Sequence, residues 1–487
     1  MNKRIIHFLG IFMVVIGASM MLPLIIALVY GEFRQAGAFL LSIVICIIPG
    51  LVVAKTFKNA VSEEKLNYKD GYFIVTAAWL LSSIFGALPY ILTGVMTNYI
   101  DAFFESASGF TTTGATLFAD VEILPHCILL WRSLTQWLGG MGMVVLFFAI
   151  LPRFGAKANT IASAETPGAF QRKLTSRYSD TAKVFYSLYL LFTLILTVLL
   201  AIGGMGIFDA FNHSLTTLAT GGFSTKNGGL GYYDSSFIYV IVGLFGLIAA
   251  TNFALFFDMI TGNIKNVFKD EEFRSFIIIV VVSSLLITVN LKLTNVASNA
   301  INDIAAAFFQ VINTISTLGF ETANSNWPPF CVIVLALLMI MGGCSSSTSG
   351  GIKIARITTV LKVVKLEIKH RIHDSVIEDV KYNGKKVQAK TMDYILSFVV
   401  LYLVIVLSAT IVISGFGGGD LMTNLISILS CISNLGPGMD SLGLVCEYHT
   451  QSTICSITYA FVMIAGRLEL STFLVIFSRH YWNTNKI

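Results

Sequence analysis

Four short stretches of this sequence set neutral oxygens beside a glycine at matched spacing. They read FFESASGFTTTGAT, FNHSLTTLATGGFS, FFQVINTISTLGFE and LISILSCISNLGPG, centred on Gly114, Gly222, Gly319 and Gly436. Two positions before each glycine stand Thr112, Thr220, Thr317 and Asn434, and directly before it Thr113, Gly221, Leu318 and Leu435. Six before stand Ser108, Thr216, Asn313 and Ser430. Glycine admits backbone conformations that turn successive carbonyls to one side. A ring of such carbonyls can replace an ion's hydration shell. Hydroxyls add oxygen ligands without charge. The chemistry on offer is coordination of a hard monovalent cation. The bland alternative is four unrelated outer turns, and the matched spacing weighs against it.

A second constellation is GGCSSSTSGG at 342–351, inside an apolar run at 329–365. Glycines and hydroxyl residues make poor helix. One reading is a kinked helix whose small residues permit close packing. The other is a movable plug beneath the four loops, built from Gly342, Gly343, Ser345, Ser346, Ser347, Thr348, Ser349, Gly350 and Gly351. Lys353 follows and is expected to face the inner cavity or the cytoplasmic mouth. Arg467, in IAGRLELSTFLVIF, falls near the middle of the last apolar run. An ionisable residue at that depth is costly and by default functional. Its expected neighbours are the oxygens of the 342–351 loop, where its charge would repel a passing cation. The alternative partner is Glu469, which a helix turns away from Arg467. Arg132 and Asp258 read as span-end residues that snorkel to the interface.

Conventional catalytic patterns do not occur. The seven cysteines and seven histidines show no metal-ligand spacing, and there is no HExxH, Walker loop or dinucleotide fingerprint. Cys446 and Cys455 share an outer loop region and can bridge. An enzyme reading has almost nothing to stand on.

The elements that must hold these residues lie in lipid. The chain has 487 residues, 55% hydrophobic and only 12% charged. A soluble protein carries about 25% charged residues. Apolar runs of spanning length recur near 5–30, 36–54, 72–94, 128–151, 184–204, 236–261, 274–291, 329–365, 392–415 and 455–478. This predicts an all-α polytopic membrane protein. A β-barrel would show short alternating segments. Lys and Arg cluster in alternate loops, with ten between 353 and 390 and none in 95–126 or 416–454. By the positive-inside rule both termini are cytoplasmic. The acidic outer face, with Asp101, Glu105, Asp120 and Glu122, concentrates cations. The net charge of +5 reports inner loops and not nucleic acid.

The four glycines recur about every hundred residues, which marks an internal repeat. The apolar stretch before each glycine is too short to span, so it must re-enter and turn back. Non-helical backbone at that depth is tolerated only inside protein or beside a watery path. The predicted organisation is two leading spans in 1–58, then four span–pore helix–loop–span repeats around one pore with pseudo-fourfold symmetry. The repeats occupy 68–152, 176–262, 273–366 and 391–482, with a basic linker at 367–390.

TTTGAT, ATGGFST, STLGF and SNLGPG resemble the four pore loops of the Trk/Ktr superfamily of potassium transporters. The likeness covers essentially the whole chain, and the two leading spans resemble the TrkH type. It implies four linked copies of a potassium-channel pore unit in the bacterial inner membrane, with K+ as the ion carried. Gly at all four filter positions, where relatives with Ser at the first carry sodium, implies potassium. The residues after the glycines, Ala115, Phe223, Phe320 and Pro437, depart from a symmetric channel filter, so modest selectivity is expected. The resemblance also implies that the 342–351 loop and Arg467 form an intramembrane gate. It further implies a cytoplasmic ring of Rossmann-type nucleotide-binding regulatory subunits, and a homodimer. Two rivals stay open: a symporter coupling potassium to protons or sodium, and a receptor or scaffold that moves no ions.

Overall fold

The computed structural model describes residues 3–58, 68–142, 178–294, 300–321, 327–373, 378–417, 419–436, 448, 451–468 and 470–482. Six of the described helices are long and apolar enough to cross a membrane, or seven with one bent pair counted as a span. The two leading spans are Lys3–Val29 and Phe33–Thr56. They cross where Gly10 meets Gly50: a Cβ on Gly50 would stand 2.7 Å from the Gly10 carbonyl oxygen. Lipid tails supply no hydrophobic drive between helices, so close approach through small residues does the joining.

Four units follow with one plan. Each has an outer span, a short pore helix, a loop and an inner helix. The outer spans are Lys69–Leu92, Asp180–Ile202, Glu271–Leu293 and Ala389–Phe416. The pore helices are Tyr99–Phe110, Ile207–Ala219, Ala300–Ile315 and Leu421–Ser433. The inner helices are His126–Gly140, Ser236–Ala250, Pro329–Met341 and Thr453–Arg467. Outer spans turn large apolar side chains such as Val198, Leu285, Val400 and Ile411 outward. The pore helices bury polar ones, including Ser106, Ser108, Thr216, Thr217, Thr314 and Ser430. Polar groups are thus drawn to the middle of the bundle, away from lipid.

The inner helices differ from expectation. The sequence marks only the third run as interrupted, yet the other inner helices also stop after about four turns. The run 236–261 bends by 95° between Ala250 and Phe253. Asn252 causes this by starting a new helix, its side chain accepting from the Ala254 amide at 2.9 Å. The run 455–478 ends its first helix at Arg467 and resumes at Leu470–Val475. In the first unit helix ends at Gly140, and residues 143–177 lie outside those described.

After the third unit, the helix Ile354–Ile372 leads into a small antiparallel hairpin, Lys381–Tyr382 with Lys385–Lys386. Asn383 and Gly384 turn it, both at positive φ (48° and 74°). That is the two-residue turn whose twist suits a hairpin.

Candidate functional site

Each pore helix ends the same way. Thr112, Thr220, Thr317 and Asn434 all lie in the left-handed region, with φ of 56°, 54°, 54° and 55°. The amides of Thr113, Gly221, Leu318 and Leu435 then reach back to the carbonyls of Ser108, Thr216, Asn313 and Ser430 at 2.9–3.0 Å. This is a Schellman closure with a threonine or asparagine where glycine is usual. A left-handed residue that is not glycine costs about 1–2 kcal/mol. Three of the four are β-branched, so the strain is concentrated at this ring. Sequence type alone pointed to oxygen ligands here and did not reveal the strain.

Gly114, Gly222, Gly319 and Gly436 follow at φ of 83°, 78°, 73° and 77°. A Cβ on Gly114 would stand 2.0 Å from the Gly221 carbonyl oxygen, and one on Gly222 2.4 Å from that of Leu318. A Cβ on Gly319 would stand 1.8 Å from the Leu435 oxygen, and one on Gly436 2.1 Å from that of Thr113. The contacts run from unit one to two, to three, to four, and back to one. Four loops therefore close one ring, and each glycine is needed for both conformation and space.

Side chains brace the ring from behind. Gln136 donates Nε2 to the Gly221 carbonyl at 2.7 Å and accepts from the Phe223 amide at 3.2 Å. Asn313 brackets Gly319 in the same way through Phe320, at 2.9 and 3.0 Å. Asn434 donates to Thr113 Oγ1 at 3.0 Å, tying the fourth loop to the first. Arg132 does not snorkel: it is 2% exposed and pairs with Glu105 at 2.9 Å. Glu105 is fully buried, so it is not part of the acidic outer face, and it also holds Thr116 and the Leu117 amide. The Arg132 guanidinium lies 4.1 Å from the centre of the Phe223 ring, next to Gly222. Both acids and bases of a span end look alike in a sequence, and only the tertiary pairing reveals that these two meet. On the outer surface, Asn227 donates to Asp120 at 2.8 Å and clasps the loops of units one and two. The hydrogen bond from Asn227 holds the Asp120 carboxyl below its ordinary range.

Beneath the ring lies the 342–351 loop. Its neck is pinched shut: a Cβ on Gly342 would stand 2.2 Å from the Gly350 carbonyl oxygen. The Gly350 amide donates to Thr317 Oγ1 at 2.8 Å, and a Cβ there would meet the Ser433 oxygen at 2.0 Å. The loop therefore touches the glycine turns of units three and four. Its far side packs on the break in unit two, with Cys344 and Thr348 amides on the carbonyls of Ala250 and Ala249 at 2.8 and 3.2 Å. Ser346 also lies in the left-handed region, at φ 56°.

Arg467 reaches the loop as expected, donating Nη1 to the Thr348 carbonyl at 2.7 Å. Its Nη2 goes to the carbonyls of Gly140 and Gly139 at 2.7 and 3.2 Å. Those carbonyls lie where the first inner helix ends, a partner the sequence does not suggest. Glu469 and Cys446 lie outside the described residues, so neither alternative pairing can be followed. Cys455 is buried with Ser452 Oγ at 3.2 Å from its sulfur. Lys353 differs from expectation: it is 3% exposed and its ammonium bonds to the carbonyl and hydroxyl of Ser349. It satisfies the loop from within and does not face an open cavity. Glu272, unremarked in the sequence, accepts from the Ser345 amide at 2.6 Å.

The profile of the family described as TrkH, cation transport protein, matches residues 35–484. The chain belongs to the TrkH family. It is 34% identical over 485 residues to the Trk system potassium uptake protein TrkH of Escherichia coli strain K12, covering 99% of each. It is 32% identical to the protein of that name from Halomonas elongata, again covering 99% of each. Its fold matches the crystal structure of the potassium transporter TrkH from Vibrio parahaemolyticus with a TM-score of 0.88, at 30% identity over 99% of both chains. Within this TrkH-family chain the ring, its braces and the loop beneath are contiguous.

Proposed function

We propose that this chain is the potassium-conducting subunit of a Trk-type uptake system in a bacterial inner membrane. The observation that carries the reading is the closed ring of four glycine turns, each seated on the carbonyl of the next. Thr113, Gly221, Leu318 and Leu435 then present carbonyls around one axis, and an ion entering them exchanges water for fixed oxygens. The C-terminal ends of four pore helices converge on that ring and add partial negative charge. No backbone has to reorganise as the ion arrives, because the strained turns are already set.

The loop 342–351 and Arg467 form the gate in this reading. Three carbonyl bonds hold the guanidinium across the junction of units one, three and four. While they persist, the loop fills the space under the filter and a positive charge stands beside it. Opening requires Arg467 to release Thr348. Both termini and the linker hairpin face the cytoplasm, where a nucleotide-binding ring of partner subunits acts on the gate. The chain works as a homodimer, each copy with its own pore. Coupled symport is less well supported: Glu105 is tied up by Arg132, and Glu272 by backbone amides, so neither stands ready as a proton relay.

The test is cation flux into liposomes holding the purified chain. Potassium should enter faster than sodium, and Gly114→Ser should narrow that difference. A reversal potential that follows a proton or sodium gradient as well as potassium would favour the symporter. Absence of flux from folded protein, with and without the partner ring, would overturn the reading.

A further inference from the structure

The gate loop has a second anchor, independent of Arg467 and of the filter. Glu272 opens the third outer span and is 4% exposed. Its Oε1 accepts from the Ser345 amide at 2.6 Å and from the Ala355 amide at 3.2 Å. Ser345 lies on the entry side of the loop and Ala355 just past its exit. One carboxylate oxygen therefore ties both ends of the loop to the start of a neighbouring helix.

That helix start is itself held from the linker hairpin. Asn383, at the hairpin turn, accepts from the Glu271 amide at 2.7 Å and gives its own amide to the Glu271 carboxylate at 3.1 Å. Its side chain donates to Asp270 at 3.0 Å. Lys362 pairs with Glu271 and donates to the Lys381 carbonyl at 2.8 Å. Asp270 in turn caps the helix, accepting from the Phe273 amide at 3.0 Å.

We propose that Glu272 is a positioning residue for the gate and that Asn383 is its cytoplasmic handle. The hairpin holds the residue next to Glu272, so displacement of the turn moves the carboxylate that pins the loop. Two backbone amides converge on one carboxyl oxygen, at 2.6 and 3.2 Å, so a displacement of that oxygen passes to both ends of the loop. Neither residue touches the filter turns in any of these bonds. The latch therefore sets how often the pore is open, not which ion it prefers. This rests on the gate reading above.

The test is single-channel recording of the full chain in planar bilayers. Glu272→Ala and Asn383→Ala should each raise the open fraction severalfold, with unitary potassium current and the potassium-to-sodium permeability ratio at wild-type values. Glu272→Gln, which keeps an acceptor oxygen, should stay nearer wild type. The double variant should be no more open than Glu272→Ala alone. Asn383 is exposed, so its variant carries the test if Glu272→Ala fails to fold. Arg467→Ala is recorded beside them. If it opens the pore while Asn383→Ala does not, or if the two latch effects multiply, the latch is wrong and the gate stands. If none of the variants changes the open fraction, the gate reading falls with it.

Discussion

Thr112 and Thr317 occupy equivalent turns but differ in what their hydroxyls do. The Thr112 hydroxyl is buried with no protein partner among the described residues, whereas Thr317 accepts from the Gly350 amide of the 342–351 loop. Valine keeps the branched shape and removes only the oxygen. Thr112→Val should therefore lower potassium flux and leave thermal stability near wild type. Thr317→Val leaves the Gly350 amide unpaired, a loss of about 1–3 kcal/mol, and should raise basal flux. The two are separated by rubidium uptake in liposomes. Gly114→Ser must push a Cβ against the Gly221 oxygen, an overpacking cost of about 1–3 kcal/mol. That should cut potassium-over-sodium discrimination about tenfold, since roughly 1.4 kcal/mol is a factor of ten. At this scale residue type was informative: the repeat of Thr, Gly and Asn is visible by eye. The left-handed strain was not, because threonine is a poor forecaster of that conformation. Gln136 was not visible either, since its role is defined by Gly221 in another unit.

At the scale of elements the inner helices matter most. The break in unit two is the floor on which the loop rests, and Arg467 bonds to carbonyls at the end of the first inner helix. Removing that guanidinium frees three acceptors, and hydrogen bonds to charged groups are worth about 1.5–3 kcal/mol each. Arg467→Ala should raise the open fraction at least tenfold, read as potassium efflux without the partner. Arg467→Lys should recover only part of the effect, because an ammonium lacks the planar fork that spans the 342–351 loop and the end of the first inner helix. The outer spans and pore helices were legible, being long apolar runs or short runs bounded by turns. Three inner-helix breaks were not. Ala250–Phe253 carries only Thr251 and Asn252 as polar residues, and Arg467–Leu470 only Arg467 and Glu469, inside long apolar runs, and the bend at Asn252 rests on one cap whose signal is shared by many surface turns. Only the glycine and serine content at 342–351 was strong enough to see.

Arg132 joins the first unit to the second by donating to the Ser224 carbonyl at 3.3 Å, and its buried pair with Glu105 of its own unit is the pairing most exposed to failure. Removing one partner strands a charge, which costs about 3–5 kcal/mol, whereas replacing both with apolar groups is far milder. Arg132→Met should lower the unfolding midpoint in detergent sharply, and Arg132→Met with Glu105→Leu should recover most of it. The carbonyl ring has a further consequence, for biosynthesis. Its last contact seats Gly436 on Thr113, joining the fourth unit to the first. No truncated product that stops short of the fourth loop can complete the circle. Arg467 follows within the same unit, so the guanidinium that holds the 342–351 loop emerges from the ribosome soon after the ring can close. A chain shortened before the fourth loop therefore lacks both the contact that closes the ring and the guanidinium that ties the 342–351 loop to the first inner helix.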